Sequence, residues 1–454
     1  MGRARGVKRG IVTRSFYAVM AAMGAAAAQP AFAQATIQSA PGRTDNEIFG
    51  PFLGTNIPFQ VDRGRNQGVL DRDRPELVPI GLPVRGFTLF PTLTTGIGVS
   101  DNIDGATFDR RSSAFFAIDP NVRVTSNWSR HSLSLNAGGA FRLFSARAAR
   151  DEDNLFANLD GRYDIAEQTN IVGSLRVRRA YEAQFSGTFP ANSTRPIQYL
   201  ATTALVRGQY QTGRLRLTGA VDYNSFQFRN TSDLAGNPID QSFRERYVYR
   251  LATRAEYAVN ADAAAFVQAS GARTDYLSRI AAFGDNRDGN TFEFLAGATF
   301  DLTALIRAQA GIGYVRRSFD SARFGTINGL SYDVRLEYFF TPLTTITATA
   351  NRSVQDSIVQ SSSGFFSNSF RLRVDHELLR NALLFAQGNF QINEFQGLAR
   401  TDELLDLSGG GRYLLGRNIS LGASFSYLDR GSQGAAIGQV FDEYRGVFSV
   451  TLQY

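Results

Sequence analysis

Residues 330–340 read LSYDVRLEYFF. Leu330, Tyr332, Val334, Leu336, Tyr338 and Phe340 fall on one side, and Ser331, Asp333, Arg335 and Glu337 on the other. Successive strand side chains point to opposite faces, so this stretch is a ribbon with one apolar and one charged face. The same period of two runs outward from it in both directions. In 131–144, Leu133, Leu135, Ala137, Phe141 and Leu143 oppose Ser132, Ser134, Asn136 and Arg142. Leu215, Leu217, Val221 and Tyr223 oppose Arg214, Arg216, Asp222 and Asn224; Tyr247, Tyr249, Leu251 and Tyr257 oppose Arg246, Arg250, Arg254 and Glu256.

The connections alternate as well. Eight are short, for example Gln211-Thr212-Gly213-Arg214 and Thr341-Pro342-Leu343-Thr344, and between them lie nine longer polar loops, roughly 100–113, 146–153, 183–197, 230–244, 276–289, 318–326, 355–363, 394–402 and 429–441. That spacing predicts about eighteen strands in an all-β, transmembrane, antiparallel up-and-down barrel, with short periplasmic turns and both termini in the periplasm. A soluble sandwich alternates too. Two features favour the membrane. Aromatic residues gather near strand ends, at Phe115-Phe116, Tyr338-Phe339-Phe340 and Phe365-Phe366, as interfacial girdles require. The last strand presents Tyr444, Gly446, Phe448, Val450, Leu452 and Tyr454 on one face and stops on the aromatic. An ending of this kind resembles the signal read by the barrel-assembly machinery, so Phe448, Val450, Leu452 and Tyr454 are assigned to it.

The N-terminus reads as an address. Arg3, Arg5, Lys8, Arg9 and Arg14 precede the apolar stretch 15–28, and Ala31-Phe32-Ala33 has the small-x-small pattern of a signal cleavage site. Residues 1–33 are therefore expected to be a signal peptide, with Ala31 and Ala33 marking the cut. Its removal leaves 43 cations against 41 acids, a net of +2 instead of +7, and a nucleic-acid partner loses its support. Lys8 is the sole lysine, so every later cation is arginine. Residues 34–86 are rich in Pro, Asp, Arg and Asn and alternate little; they are expected to form an extension, periplasmic or in the pore mouth, before a barrel over 87–454. There is no cysteine, which excludes disulfides and thiolate metal sites, and no run of about 18 apolar residues follows the leader.

The stretch from Arg74 to Ile103, RPELVPIGLPVRGFTLFPTLTTGIGVSDNI, resembles the opening of a family of outer-membrane β-barrel porins, the BBP2-like group. Its pattern of Pro-x-Gly, a second Gly followed by Phe, a later Pro and a closing Asp-Asn is met by Pro79, Gly81, Gly86, Phe87, Pro91, Asp101 and Asn102. Arg85 stands where a small residue often accompanies the second glycine. The resemblance implies an outer-membrane barrel, and the group's frequent association with exopolysaccharide or capsule production implies polysaccharide-export components as partners.

About eighteen strands leave an aqueous channel. An arginine facing lipid at mid-bilayer would cost about 2–4 kcal/mol, so the charged faces must line that lumen. The predicted lining is Arg123, Arg142, Arg162, Arg176, Arg178, Arg207, Arg216, Arg250, Arg254, Arg307, Arg335, Arg371 and Arg373, with Asp119, Asp160, Asp164, Asp222, Glu256, Asp333, Glu337 and Asp375 beside them. These charges either neutralise one another in cross-strand ladders that brace the wall or leave a cationic path for anionic solutes. A non-enzymatic channel is expected, without cofactor or metal, surrounded by outer-membrane lipid and lipopolysaccharide. The alternative is a closed barrel that presents its loops. His131 and His376 lie beside turns and are weak candidates for catalysis. Gly409-Gly410-Gly411 reads as a close-packing site within a strand, and Asp285–Asn290 lacks the ligand spacing of an EF-hand.

Overall fold

A period-two ribbon leaves its backbone donors and acceptors pointing sideways, and within lipid every one of them must find a partner. Closing the ribbons into a ring meets that demand, and the computed structural model shows such a ring. It describes residues 67–454 apart from 183–192, 194–195, 234–235, 281–283, 304, 358, 360 and 435–436. The leader, with Ala31 and Ala33, and most of the extension lie outside the described residues.

Eighteen strands of 12–16 residues make the wall. They are β1 Phe87–Ser100, β2 Ser113–Ser126, β3 Ser132–Phe144, β4 Glu152–Ala166, β5 Thr169–Tyr181, β6 Gln198–Thr212, β7 Leu215–Phe228, β8 Arg246–Ala258 and β9 Ala263–Tyr276. They continue as β10 Gly289–Leu302, β11 Ile306–Phe319, β12 Ile327–Thr341, β13 Thr344–Gln355, β14 Gly364–Leu379, β15 Ala382–Gln396, β16 Arg400–Leu414, β17 Ile419–Gly434 and β18 Phe441–Gln453. Each pairs antiparallel with its sequence neighbours, and β18 returns to β1 in a register from Thr92 opposite Gln453 to Ser100 opposite Arg445. The sheet therefore closes.

The eight short turns lie where the sequence places them, at the end that also holds Phe87 and Tyr454. Gly213, at φ 52, supplies the left-handed position that a two-residue hairpin demands. The loops at the other rim differ from expectation in two places. Loop 394–402 shrinks to 397–399 and loop 429–441 to 435–440, because β15, β16 and β17 continue past the hydrocarbon as paired strands. An ion pair marks the overhang of β15, Arg352 with Glu394 at 3.0 Å.

Which face is outer follows from exposure. The Leu/Val/Phe/Tyr side of each ribbon is uncovered, with Ile97, Val206, Phe294 and Ile312 all more than half exposed. In water such a belt would be a liability; against lipid it is the solvent contact. Tyr163, Tyr210, Tyr257, Phe340 and Tyr413 ring the turn side of the belt, and Tyr249, Phe292, Tyr314 and Tyr444 the loop side. Of the expected girdle residues, Phe116 and Phe340 are exposed on this surface, while Phe115, Phe339, Phe365 and Phe366 are buried. Alternation explains the division at Phe115-Phe116 and Phe339-Phe340, since adjacent side chains cannot share a face.

Candidate functional site

The ladders place every arginine predicted for the lumen on the face opposite the lipid belt. Arg123, Arg142, Arg162, Arg176, Arg178 and Arg207 sit on the inner faces of β2 to β6. Arg216, Arg250 and Arg254 do so on β7 and β8, Arg307 and Arg335 on β11 and β12, and Arg371 and Arg373 on β14.

Their surroundings divide them. On β7, β8 and β11, Arg216, Arg250, Arg254 and Arg307 are held in ion pairs. Arg250 lies 3.1 Å from Asp222, Arg254 lies 2.9 Å from Glu256 with its guanidinium over the Phe266 ring, Arg216 reaches Glu256 at 3.1 Å, and Arg307 meets Glu337 at 3.1 Å. Gly297 and Gly311 face Phe266, whose ring would stand 2.7 and 3.0 Å from a Cβ at those positions, so glycine lets the ring lie on the neighbouring strands. Arg254 also donates to Gln309 at 3.1 Å, three strands away. This sector of the wall is braced. On β3 and β2, Arg142 grips Asp119 with both fork nitrogens, and on β14 Arg373 pairs with Asp375 at 2.7 Å.

The wall formed by β4, β5 and β6 differs. Its middle carries Arg162, Arg176, Arg178 and Arg207 against Asp160 and Asp164. Arg176 is 61% exposed, with Asp160 at 3.9 Å, and Arg162 is 48% exposed. Val172 stands between Arg162 and Arg207 in the ladder, so two cations flank one apolar residue. Asn158 and Thr203 flank Arg176 in the same way and offer neutral hydrogen-bonding groups. Here Arg162, 2.6 Å from Asp164, and Arg176 keep about half of their surface in water beside their carboxylates. On the β14 side Arg371 is likewise exposed and donates to Asn389 at 2.7 Å.

At the loop rim, chain folds inward. Arg246 at the start of β8 lies 3.1 Å from Asp356, which follows β13, and Arg317 of β11 lies 2.6 Å from the same carboxylate. Arg287, in the β9–β10 loop, donates to the carbonyls of Val359 and Ser362 at 2.8 and 3.1 Å. Burial alone would raise the Asp356 carboxyl, but Arg317 and Arg246 overcome it and hold the group well below the ordinary aspartate range.

At the turn rim, residues 67–84 lie along the mouth. The Val69 amide donates to Thr345 Oγ1 at 2.9 Å, and Arg72 and Arg74 reach Glu377 at 3.1 and 2.5 Å. Sequence alone does not single out Arg74, Glu377, Arg287, Arg317 or Asp356. Their pairing spans some 300 residues in one case and several strands in the other, and period-two patterning carries no signal for either.

His131 stacks on Tyr163 at 4.3 Å and its Nδ1 accepts the Asp164 amide at 3.0 Å; His376 Nδ1 lies 2.9 Å from Thr344 Oγ1. Both rings are engaged in packing at turns. Gly410 lies between Phe385 and the Ala423 carbonyl inside β16, where a Cβ would meet them at 2.9 and 2.4 Å. In 285–290, Arg287 is directed at loop carbonyls and Asp288 accepts the Tyr276 amide at 2.6 Å.

Among solved structures the chain is similar to Pseudomonas aeruginosa OpdL, at 12% identity over 82% of this chain and 99% of that one, with a TM-score of 0.43. It is similar also to Pseudomonas aeruginosa OccK3 (13% identity, 84% and 97% covered, TM-score 0.41) and to the copper transporter OprC (11%, 82% and 81%, TM-score 0.44). A search of curated proteins found no match. The model of one family, described as "Putative beta-barrel porin 2", matches residues 74–454. With a closed eighteen-stranded wall, a lipid-facing belt and a charged interior, the chain belongs to this family of β-barrel porins of the bacterial outer membrane.

Proposed function

We propose that this protein is a passive outer-membrane channel that favours anionic solutes, polysaccharides bearing acidic groups among them. The observation that carries the reading is the contrast inside the barrel: Arg250, Arg254 and Arg307 are buried in ion pairs on β8 and β11, whereas Arg162 and Arg176 on β4 and β5 stay 48% and 61% exposed beside their carboxylates. Cations lining a narrow aqueous path with low-dielectric walls focus their field along it and raise the local anion concentration. Guanidinium groups also offer a planar fork suited to carboxylate or phosphate. The outward residues Phe448, Val450, Leu452 and Tyr454 serve as the assembly signal in this reading, and the mature chain begins at Gln34 with an extension over 34–86, periplasmic or in the pore mouth, that precedes the barrel.

Planar-bilayer recording of the purified protein in a salt gradient tests it. The expected result is discrete conductance steps with a reversal potential of anion-selective sign. A reversal potential near zero would remove the anion preference, and conductance no higher than bare lipid would remove the channel. The contact of Arg246 with Asp356 across the loop rim favours a second reading, a closed barrel that presents its loops; the same absence of conductance would support it.

A further inference from the structure

We infer that residues 68–84 are a strap across the turn-side mouth, and that its seating on Glu377 regulates how wide the channel stands open. The inference rests on the channel reading above.

Both ends of the strap are fixed to the wall, at places far apart around it. At one end Leu82–Val84 pairs with Phe87–Leu89, the edge of β1 that β18 leaves bare by stopping opposite Thr92. The reversal is made at Arg85, whose φ is 53. At the other end, Val69, Arg72 and Arg74 are held by Thr345, Pro342 and Glu377 of β13, β14 and the β12–β13 turn. Counting through β18, β13 lies six strands from β1, a third of the ring. The chain between the two anchors therefore bridges that third of the mouth.

The seat lies on the inner face. Thr345 is opposite Asp375 in the ladder, and Glu377 shares the face of Asp375 and Arg373. Val69 is 1% exposed and Arg74 6%. The strap thus occupies space inside the mouth, where it narrows the entrance.

Its attachment is of a kind that can let go. Val69 is its only buried apolar side chain, and segments with so little buried apolar contact open at small free-energy cost. The exposed pair Arg380–Glu76 adds little, because such pairs are worth about 0–1 kcal/mol. Beside the hydrogen bonds of Val69 with Thr345, Arg72 with Pro342 and Arg380 with the Asp73 carbonyl, the charged anchor is Glu377, one buried carboxylate receiving two guanidinium groups, with Arg74 also donating to the Val69 carbonyl at 2.8 Å. Removing that charge deprives Arg72 and Arg74 of their shared carboxylate and should free the strap while leaving the backbone pairing of β14 intact.

The absence of cysteine makes a clean test possible. A Cβ at Gly68 would stand 3.6 Å from Thr345 Oγ1, within disulfide reach. The full chain is prepared as wild type, as Glu377→Gln, and as the pair Gly68→Cys with Thr345→Cys. Each is checked for folding by heat-modifiable migration and recorded in planar bilayers, the pair in oxidised and reduced form. The pair is expected to form its disulfide in isolated outer membranes. Oxidised, it should hold the smallest conductance without fluctuation; reduction should restore wild-type behaviour, and Glu377→Gln should raise mean conductance above wild type. Failure of the disulfide to form would overturn the strap's position. A disulfide that forms while all conductances stay equal would overturn its regulatory role alone. Silence from every form would instead defeat the channel reading on which the inference stands.

Discussion

Arg246 and Asp356 meet at 3.1 Å although they leave the wall five strands apart, at the loop ends of β8 and β13. A ring of strands does not bring such positions together unless chain folds into its interior. The contact therefore places a constriction of this barrel at the loop rim, with Arg317 and Arg287 packed around the same carboxylate and its loop. One acid there balances a cluster of buried cations. That arrangement is stable while the acid is charged and costly once it is not.

Asp356→Asn should therefore release the folded-in loops. Removing one member of a buried ion pair typically costs about 3–5 kcal/mol, because the partner charge stays buried without compensation. The expected outcome is a lowered urea midpoint for the detergent-folded barrel, together with new protease cleavage within 356–363. An unchanged midpoint with loops still resistant would show that the apolar contacts of Phe243, Ile280 and Phe324 hold the rim unaided.

The same group sets a pH window. The Asp356 carboxyl is held below its ordinary value in the fold, so its contribution is complete above the unfolded pKa of about 3.9. It is lost only as pH falls through the still lower folded value. Between pH 7 and 5 the rim should stay folded, and pepsin should begin to cut it only below about pH 3.9, where the unfolded chain starts to bind the proton that the folded rim still refuses. Opening already at pH 5 or 6 would assign the rim to another group.

Selectivity and stability should separate between the two classes of arginine. Arg176→Glu, on the exposed wall, should move the reversal potential toward cations and leave the unfolding midpoint within about 0.5 kcal/mol of wild type, as surface changes do. Arg307→Gln should do the opposite, leaving selectivity nearly unchanged while stripping Glu337 of its buried partner at a cost of about 3–5 kcal/mol. Equal effects of the two on reversal potential would refute the division into a braced sector and an open one.

The wall itself was legible because alternation is a local property: Leu330 to Phe340 carries its own face assignment, and so does every other strand. The inward set from Arg142 to Arg373 followed from parity alone. What stayed hidden depends on depth and on distance along the chain. Parity puts Arg176 and Arg250 on one face but cannot show that Asp222 closes over the second and leaves the first wet. Strand length beyond the bilayer was underestimated at 394–402, because Glu394 and Arg400 look like loop polarity until Arg352 and Asp402 are seen beside them. Pairings such as Arg74 with Glu377 leave no periodic trace.

The assignment of faces carries its own test. Ile312 lies at the middle of β11 on the exposed belt, and Asn158 near the middle of β4 on the opposite face. Ile312→Arg would place a guanidinium in hydrocarbon at mid-bilayer, at about 2–4 kcal/mol. Asn158→Arg would add one more cation to a wet wall, for about 0.5 kcal/mol at most. Denaturant titration of each variant refolded into liposomes reads the difference directly. A penalty at Asn158 as large as that at Ile312 would mean that the side carrying Arg176 and Asp160 does not face water, and the lumen would have to be sought elsewhere.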